Sequence, residues 1–325
     1  MRAIVYERYG PPEVLRLAEV DLPNPADDEV RINVRATTVN RTDTGFRDPK
    51  YLLVRLVGGL FRPKHRILGS EFAGVVDAVG SKVTRFQVGD RVFGLRTYRF
   101  GTHAEYVGVR EGGSIAHLPA VFTFEEAAAV CDGLMLANNF IKRMDLRQGV
   151  RILVNGASGS IGSAAVQLAR YHGAHVTATC KTAVVERVRA LGADEVVDYT
   201  REDFTKLDRT FDVVLDSVGK SSFFRCRRLL RPGGIYFSSE LGAYWQNPLL
   251  ALVTPLLRGR KVGFPIPTDR QEDILFFKKI IEDGKYQAVI DRTYPLERII
   301  EATRYVETGE KFGNVVITVS RPPEA

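Results

Sequence analysis

Apolar and polar positions follow two different patterns along the chain, and the change falls near residue 120. Before that point, short alternating runs are broken by Gly, Pro, Asn and Asp, which predicts strands joined by turns. These runs are AIVYERYG, EVRINVRATTVN, SEFAGVVDAVG, DRVFGL and HAEYVGV. We therefore expect the first part of the chain to be rich in β-structure.

A helix-like stretch, FTFEEAAAVCDGLMLANNFIKRMDL, is followed by alternating strand-like and helix-like segments. The segments are RILVNG, SIGSAAVQLARYHG, HVTATC, AVVERVRALG, EVVDY, FDVVLDSVG, SSFFRCRRLL and GIYFSS. This alternation predicts βαβ units around a parallel sheet. Two amphipathic helices and a β-like NVVITVS follow, and we expect that strand to return to the first domain. The pattern predicts an α/β chain with a β-rich domain at residues 1–120, completed by about 290–325, and a doubly wound parallel-sheet domain at residues 121–289.

Composition and charge narrow the class of protein. The 325 residues are 45% hydrophobic and 26% charged, which is enough for a core and for two domains. The opening MRAIVYERYG has no apolar leader, and PLLALVTPLL is about half the ~20 residues that a membrane span needs. Cys131, Cys180 and Cys226 have neither disulfide nor zinc-cluster spacing, which predicts a reducing, cytoplasmic environment. The formal charge of +7 is spread along the chain, so we expect no nucleic-acid binding.

The stretch VNGASGSIGSAAVQLA places Gly156, Gly159 and Gly162 between a predicted strand and a predicted helix. At such a turn one glycine permits a sharp bend, a second lets the backbone approach a pyrophosphate, and a third allows close packing of helix on strand. The helix N-terminus then presents free N–H groups to the anion. The spacing is GxxGxxG rather than the commoner GxGxxG, but its context predicts a dinucleotide site.

Lys181 follows the second strand of this predicted domain, in TATCKT. NAD enzymes usually carry an acidic residue there, which accepts hydrogen bonds from the ribose. No acid occurs here before Glu186, and a lysine attracts the 2′-phosphate that a carboxylate would repel. The sequence therefore favours NADPH, with a solvated lysine at a strand end as the alternative.

Motifs along nearly the whole chain resemble the medium-chain dehydrogenase/reductase superfamily, and most of all its zinc-free quinone oxidoreductase-like branch. They are AIVYERYGPPEVLRLAEV, VNRTD, LGSEFAGVVDAVGSKVTRFQVGDRVFG, HAEYV, NGASGSIGSAAVQLA, LGADEVVDY, VLDSVG and LRPGGIY. The resemblance implies a GroES-like catalytic domain, a Rossmann cofactor domain and a homodimer formed through the cofactor domains.

The zinc enzymes of that superfamily have a cysteine and a histidine where this chain has Asn40 and Ser70. Cys131 falls near the third ligand position, but one thiolate cannot form the three-ligand site of a catalytic zinc. The four-cysteine structural lobe is also missing from GLRTYRFGTHAEY. We therefore expect no bound metal and interpret Cys131 as a buried packing residue.

Without a metal, the resemblance implies hydride addition to quinones or enones. That reaction spreads negative charge into an enolate or quinol anion, so hydrogen-bond donors can suffice. The predicted catalytic residues are Asn40, which would orient a carbonyl, Asp43, which would fix the loop, and Tyr51. Tyr51 would replace a tyrosine that some quinone reductases carry where this chain has Gly45. Asn40 and Asp43 are also common turn residues, which is the alternative for both.

Two apolar stretches could contact a hydrophobic substrate. DPKYLLVRLVGGLFRP would form a lip or simply pack on its domain, and ELGAYWQNPLLALVTPLL would offer Tyr244 and Trp245 for ring stacking. No acid partner or nucleophile motif accompanies His103, so we interpret it as a structural histidine.

The predicted cofactor contacts extend beyond the glycines. They are Asn40, Gly156, Ala157, Ser158, Gly159, Ser160, Ile161, Gly162, Thr179, Lys181, Tyr199, Asp216, Val218 and Asn314. Together the residues and the resemblance predict a zinc-independent, NADPH-dependent reductase of quinones, enones or related carbonyl compounds. A catalytically silent NADPH-binding protein and a metal-free alcohol dehydrogenase remain as alternatives.

Overall fold

The computed structural model describes residues 1–97, 99–257 and 259–319. Its strands are β1 (Arg2–Val5), β2 (Arg16–Glu19), β3 (Glu29–Val39), β4 (Glu71–Val79), β5 (Arg91–Leu95), β6 (Tyr106–Arg110), β7 (Ile115–His117), β8 (Arg151–Asn155), β9 (His175–Cys180), β10 (Glu195–Asp198), β11 (Phe211–Asp216), β12 (Leu230–Ser238), β13 (Lys261–Gly263), β14 (Ile290–Pro295) and β15 (Asn314–Thr318). Its α-helices are α1 (Arg41–Arg47), α2 (Leu52–Gly58), α3 (Phe124–Ile141), α4 (Ser160–Tyr171), α5 (Val185–Ala190), α6 (Phe223–Cys226), α7 (Gln246–Val253), α8 (Gln271–Glu282) and α9 (Ile299–Thr308). Every helix within the described residues is too short or too polar to cross a lipid bilayer.

The chain divides into two compact units, of which the first comprises residues 1–132 and 269–325 and the second residues 133–268. The sequence placed the boundaries at 120/121 and 289/290. The first division falls inside α3, because the Asp132 backbone N–H donates to Glu71 Oε1 of β4, 2.6 Å away. The second falls before α8, which packs on β7 of the first unit. Residues 320–325 of the predicted completing segment lie outside the described residues.

The second unit contains a six-stranded parallel sheet in the order β10-β9-β8-β11-β12-β13. All of β11 is buried, and Ile152, Leu153 and Val154 of β8 are fully so, as expected for strands covered on both faces. The strand order changes direction between β8 and β11, and ligands of doubly wound sheets bind at the carboxyl ends of such strands. The predicted Rossmann-type sheet is confirmed.

The first unit is rich in β-structure, as predicted. Its larger sheet has the order β14-β15-β3-β4-β5-β7, with β6 also paired to β3, and β1 and β2 form a separate antiparallel pair. β15 lies antiparallel to β3, where Val315 pairs with Val39. One hydrophobic core contains residues of these strands, among them Ile32, Phe72 and Ile317, together with residues of α9.

The segment SSFFRCRRLL is less helical than predicted. Ser222 Oγ caps α6, but α6 ends at Cys226 and a single 3₁₀ turn, Arg227–Leu229, follows. The helix ends early because Leu230 is fully buried and already pairs with Phe211 at the start of β12.

Candidate functional site

The turn between β8 and α4, residues 156–162 and called the glycine turn below, needs two of its glycines for steric reasons. Gly156 has a φ of +83°, and a Cβ there would lie 2.4 Å from Val218 Cγ1. A Cβ on Gly162 would lie 2.2 Å from the carbonyl oxygen of Gly156. Ala157, between them, is fully buried. Both glycines therefore allow a backbone approach that a side chain would block.

Gly159 has space around it. A Cβ at this position would find its nearest atom, the Gly156 carbonyl oxygen, at 3.6 Å, and its φ of −80° suits any residue. It is the N-cap of α4, and no side chain caps this helix. Ser158 and Ile161 are partly exposed, and Ser160 Oγ is buried without a hydrogen-bond partner among the described residues. An open helix N-terminus beside an unpartnered hydroxyl fits a dinucleotide pyrophosphate, because the helix end attracts anions.

Thr179 and Asp216, both predicted cofactor contacts, lie in a hydrogen-bond network beneath the glycine turn. The backbone N–H of Gly156 donates to Thr179 Oγ1 at 3.1 Å, and Thr179 Oγ1 donates to Asn155 Oδ1 at 2.7 Å. Asn155 Nδ2 in turn donates to Asp216 Oδ1 at 2.9 Å. Asp216 is fully buried and also accepts from the Tyr236 hydroxyl at 3.2 Å. These contacts fix the carboxyl ends of β8, β9 and β11 and so position the turn.

Lys181 and Tyr199 follow neighbouring strands at the same edge of the sheet. The β9–β10 register pairs Cys180 with Asp198, and the Tyr199 backbone N–H donates to the Cys180 carbonyl oxygen at 3.1 Å. Half of the Tyr199 surface is exposed. The fold therefore brings together the two residues that were predicted to contact the adenosine phosphate.

Sequence reasoning missed Asp198, an acid at the same edge. Its carboxylate accepts hydrogen bonds from Thr182 Oγ1 at 2.5 Å and from Thr200 Oγ1 at 2.7 Å, and these bonds hold the pKa of Asp198 below its ordinary value. Arg201 Nε lies 3.4 Å from the same carboxylate. The negative charge is thus already bound by neighbouring hydroxyls and a guanidinium.

In the first unit, Asn40 and Asp43 form the N-terminal cap of α1. Asn40 Oδ1 accepts from the Asp43 backbone N–H at 2.9 Å, and Asp43 Oδ2 accepts from the Asn40 backbone N–H at 3.0 Å. Asp43 Oδ1 also accepts from the Gly69 backbone N–H at 3.0 Å, which joins this helix to the loop before β4. The loop-fixing role of Asp43 stays a prediction.

The amide nitrogen of Asn40 donates to two side chains of the segment that contains the absent histidine ligand. Nδ2 lies 3.1 Å from Ser70 Oγ and 3.4 Å from Glu71 Oε2. Glu71 is fully buried, and its Oε2 also accepts from Thr38 Oγ1. Both amide hydrogens therefore have protein acceptors here, and the Glu71 contact is the longer of the two.

Four ionisable side chains, called the charged cluster below, surround this position: Asp43, Glu71, Asp132 and Lys311. Burial, with the Asp132 charge adding to it, raises the pKa of Glu71 to about 8. Burial and the Asp43 charge raise the pKa of Asp132 to about 7, and burial lowers the pKa of Lys311 to about 8. Burial likewise raises the pKa of Asp43, against the effects of His103 and two backbone N–H donors. Perturbed groups gathered in this way are typical of reactive sites.

Sequence reasoning did not identify Glu71, Asp132 or Lys311 as site residues. Glu71 stands in the GSE segment, where the serine in place of a histidine ligand is the more visible feature. Asp132 is an acid within the apolar run AAAVCDGLML of α3, and this was a usable signal. Lys311 precedes β15 and carries no signal in the sequence, because only the fold brings it near β4.

His103 and Cys131 lie beside the charged cluster. His103 Nε2 donates to the Thr38 carbonyl oxygen at 2.8 Å and lies 3.8 Å from Asp43 Oδ2, an acid neighbour that the sequence did not indicate. Cys131 Sγ donates to the Ala127 carbonyl oxygen at 3.3 Å, and burial raises the pKa of its thiol. Both residues are therefore held in structural contacts.

The remaining predicted substrate and cofactor residues are Tyr51, Tyr244, Trp245 and Asn314. Tyr51 is the N-cap of α2 and is 42% exposed. Tyr244 is 97% exposed and Trp245 is 42% exposed, and both have positive φ. Asn314 is buried, and its Nδ2 donates to the Val289 carbonyl oxygen at 3.1 Å. Their predicted roles remain predictions.

The ligand positions of the zinc enzymes hold polar, uncharged groups in this chain. Asn40 and Ser70 are hydrogen-bonded to each other, as described above. Across residues 1–97, 99–257 and 259–319, no three His, Cys, Asp or Glu side chains converge in a way that could hold a metal ion.

Residues 26–120 match the family described as alcohol dehydrogenase GroES-like domain, and residues 191–317 match the family described as zinc-binding dehydrogenase. With the parallel sheet and the glycine turn, these matches define a two-domain dehydrogenase/reductase.

Similar proteins cover almost the whole chain. It is 32% identical to the 2-methylene-furan-3-one reductase of Solanum lycopersicum over 330 residues, covering 98% of this chain and 79% of that protein. It is also 32% identical to the chloroplastic NADPH-dependent alkenal/one oxidoreductase of Arabidopsis thaliana over 332 residues, with the same coverage of 98% and 79%. The solved quinone oxidoreductase of Coxiella burnetii superposes with a TM-score of 0.87 at 25% identity, covering 98% of this chain and 99% of that one. The chain belongs to the medium-chain dehydrogenase/reductase superfamily of NAD(P)H-dependent oxidoreductases, as its motifs predicted.

Proposed function

We propose that the chain is a zinc-independent, NADPH-dependent reductase of quinones, enones and related activated carbonyl compounds. The observation that carries the proposal is the open N-terminus of α4 at Gly159, at the same sheet edge as Lys181. The similarity to relatives named as alkenal/one and furanone reductases supports the choice of substrate class.

The second unit would hold the cofactor through its backbone and a few polar groups. The N–H groups at the start of α4, with Ser160 Oγ, would bind the pyrophosphate, and Lys181 would bind the 2′-phosphate with Tyr199 beside it. The Asn155–Thr179–Asp216 network would keep this edge rigid while the ligand is bound. Bound NADPH supplies a hydride.

The first unit would act on the substrate oxygen. Hydride addition to the β-carbon of an enone moves negative charge onto that oxygen, and a positioned donor lowers the barrier most when it meets the charge as it develops. Asn40 is held by Asp43 on one side and by Ser70 and Glu71 on the other, so its amide is oriented before substrate arrives. We assign to Asn40 the role of orienting the substrate carbonyl, whose oxygen would take the place of Glu71 Oε2, now 3.4 Å from the amide nitrogen.

A catalytically silent NADPH-binding protein is the second candidate. The occupied amide of Asn40 favours it, because in this arrangement both hydrogens already have acceptors. The cofactor contacts proposed above would be the same in both cases, so cofactor binding does not separate the two.

Turnover separates them. NADPH oxidation should be followed by absorbance with a panel of quinones, enones and saturated ketones, and NADP⁺ reduction with alcohols, each against a no-protein control. We expect oxidation with quinones or enones and little with saturated ketones. Reduction of NADP⁺ by simple alcohols as the main activity would favour a metal-free alcohol dehydrogenase, and no reaction with any acceptor would favour the silent protein.

A further inference from the structure

Lys311 is a partly exposed lysine in the first unit whose positive charge is not paired directly. Among the described residues, the acceptor of its Nζ is the carbonyl oxygen of Gly313. An ammonium has three donors, so this contact leaves donors available for another partner.

Charged groups from four elements face this ammonium. They are Glu71 of β4, Asp132 of α3, Asp291 of β14 and Arg41 of α1. Within the described residues, none of the three carboxylates lies within the 4.0 Å of an ion pair with Lys311 Nζ. The ammonium is thus attracted by acids that form no ion pair with it.

The three acids around Lys311 differ in their hydrogen bonds, and Glu71 already accepts from Thr38, Asn40 and the Asp132 backbone N–H. Within the described part of the chain, no donor contacts the carboxylate of Asp132, which is 7% exposed, and Asp291 Oδ2 accepts from the Tyr305 hydroxyl at 2.6 Å. Glu71 Oε1 accepts from the Asp132 backbone N–H at 2.6 Å, and the Asp132 charge helps to raise the pKa of Glu71, so the two carboxyls interact. Two such carboxyls close together share protons readily, because both cannot be ionised cheaply in a buried site.

We propose that Lys311 is a catalytic residue that hydrogen-bonds the substrate oxygen as negative charge grows on it and then gives that oxygen a proton. The proposal rests on the reductase function above and adds the proton donor that the reaction needs. The Asn40 amide can orient a carbonyl but cannot act as an acid at neutral pH, whereas an ammonium can do both.

The reaction balances with groups already named. Bound NADPH would supply the hydride for the new C–H bond at the β-carbon and would become NADP⁺, while the electron pair of the C=C bond would pass to the substrate oxygen as an enolate. The N–H bond of Lys311 breaks as its proton goes to the enolate oxygen, and the resulting enol becomes the saturated ketone. The neutral amine regains a proton from Glu71 or Asp132, or from water.

Lys311→Met and Lys311→Gln remove the charge, Lys311→Arg retains it, and Lys285→Met is a matched control at an exposed lysine of the same unit. With an enone as substrate, we expect kcat/KM of the two uncharged variants to fall on the order of a hundredfold. Lys311→Arg should recover part of the loss, and Lys285→Met should show no measurable change. NADPH affinity, measured by fluorescence titration, should be unaltered in all four.

The pH profile gives a second readout. Because burial holds the pKa of Lys311 near 8, kcat/KM of the wild type should fall above that pH as the ammonium loses its proton, and the alkaline limb should be missing in Lys311→Met. An identical limb in both proteins would overturn the assignment.

A readout without turnover separates this proposal from the reductase function. Bound para-nitrophenol should be ionised in the wild type, because a neighbouring ammonium stabilises the coloured phenolate, and un-ionised in Lys311→Met and Lys311→Gln. The same ionisation in wild type and variants, or no binding to the wild type, would contradict the role of Lys311. Lysine-dependent phenolate binding in a protein without turnover would refute the reductase function and support the oxygen contact.

Discussion

The glycine turn of the second unit and the charged cluster of the first unit are assembled in different ways. The turn consists of seven consecutive residues. Gly156 and Gly162 lie where a Cβ would clash with a neighbour, and Gly159 has space around it. The charged cluster brings together Asp43, Glu71, Asp132 and Lys311 from four distant segments. The first can be interpreted from local sequence, whereas the second exists only after folding.

The two regions also differ in how they treat charge. The turn contains no ionisable side chain and offers backbone N–H groups to an anion. Its anion site therefore lowers the free energy of unfolding only slightly. The cluster holds acids in a buried place that disfavours their charged forms, as the raised pKa values of Glu71 and Asp132 show. Such an arrangement lowers stability and is typical of a reactive site.

The largest effect should come from substitution within the turn. Gly162→Ala would force a Cβ to 2.2 Å from the Gly156 carbonyl oxygen, and we expect a loss of about 3 kcal/mol in the free energy of unfolding, measured by urea denaturation. Gly159→Ala has room for its Cβ and should unfold like the wild type while binding NADPH more weakly. Equal stability of the two variants, or unchanged NADPH affinity in Gly159→Ala, would contradict this prediction. In either case Gly162 would not be needed for folding more than Gly159, or Gly159 would not be needed for the ligand.

The next effect concerns the pH dependence of stability. The pKa of Glu71 is raised to about 8 in the folded protein, so the folded state keeps a proton that the unfolded state releases above its ordinary pKa. The contribution of this group to stability is therefore full below the ordinary pKa and is lost as pH rises toward 8. Glu71→Gln should flatten the fall of unfolding free energy between pH 5 and pH 7 by about 1 kcal/mol per pH unit.

Urea denaturation across that pH range measures this change. Asp21→Asn, at an exposed carboxylate of the same unit, is the control and should keep the wild-type slope. A steep slope that survives in Glu71→Gln would mean that the cluster does not hold its protons in the way described.

Sequence patterns were sufficient for most of the fold, and the reasons are physical. Alternating strands and helices with continuous apolar runs, such as RILVNG and FDVVLD, identify a parallel sheet because its strands are buried on both faces. One difference, the short α6, arose because helical spacing in SSFFRCRRLL conflicted with the pairing of Leu230 to Phe211, a contact between distant residues.

The site was predictable only in part for the same reason. The spacing of Gly156, Gly159 and Gly162 alone predicts their turn. Lys181 and Tyr199 follow strands whose order is fixed by the sheet. Glu71 and Lys311 are 240 positions apart in the chain, so neither could be recognised as part of a cluster before the strands were paired.

A smaller effect tests the choice of cofactor at the sheet edge. Lys181→Ala should weaken NADPH binding by about 1–2 kcal/mol in a calorimetric titration and leave NADH binding nearly unchanged, because only NADPH carries the 2′-phosphate. Lys206→Ala, at an exposed lysine of the same unit, controls for general charge. Wild-type protein that binds both cofactors equally would contradict the assignment.

Removal of metal should have the smallest effect. Asn40 and Ser70 replace ligands of the zinc enzymes, so we expect elemental analysis to find no stoichiometric zinc and a chelator to leave NADPH oxidation unchanged. One tightly held zinc per chain would require a different account of the first unit.

The central claim is that bound NADPH reduces an activated carbonyl compound whose oxygen is oriented by the Asn40 amide. Asn40→Ala removes both the amide and the cap of α1, whereas Asn40→Ser restores a capping oxygen without the amide. The most direct test is single-turnover stopped-flow absorbance of bound NADPH, mixed with a quinone or enone, in the wild type and both variants. We predict rapid oxidation in the wild type, a rate reduced in both variants by the equivalent of about 2–4 kcal/mol, and a smaller loss in NADPH affinity than in rate. No oxidation in the wild type with any acceptor, or a rate fully restored in Asn40→Ser, would contradict the account.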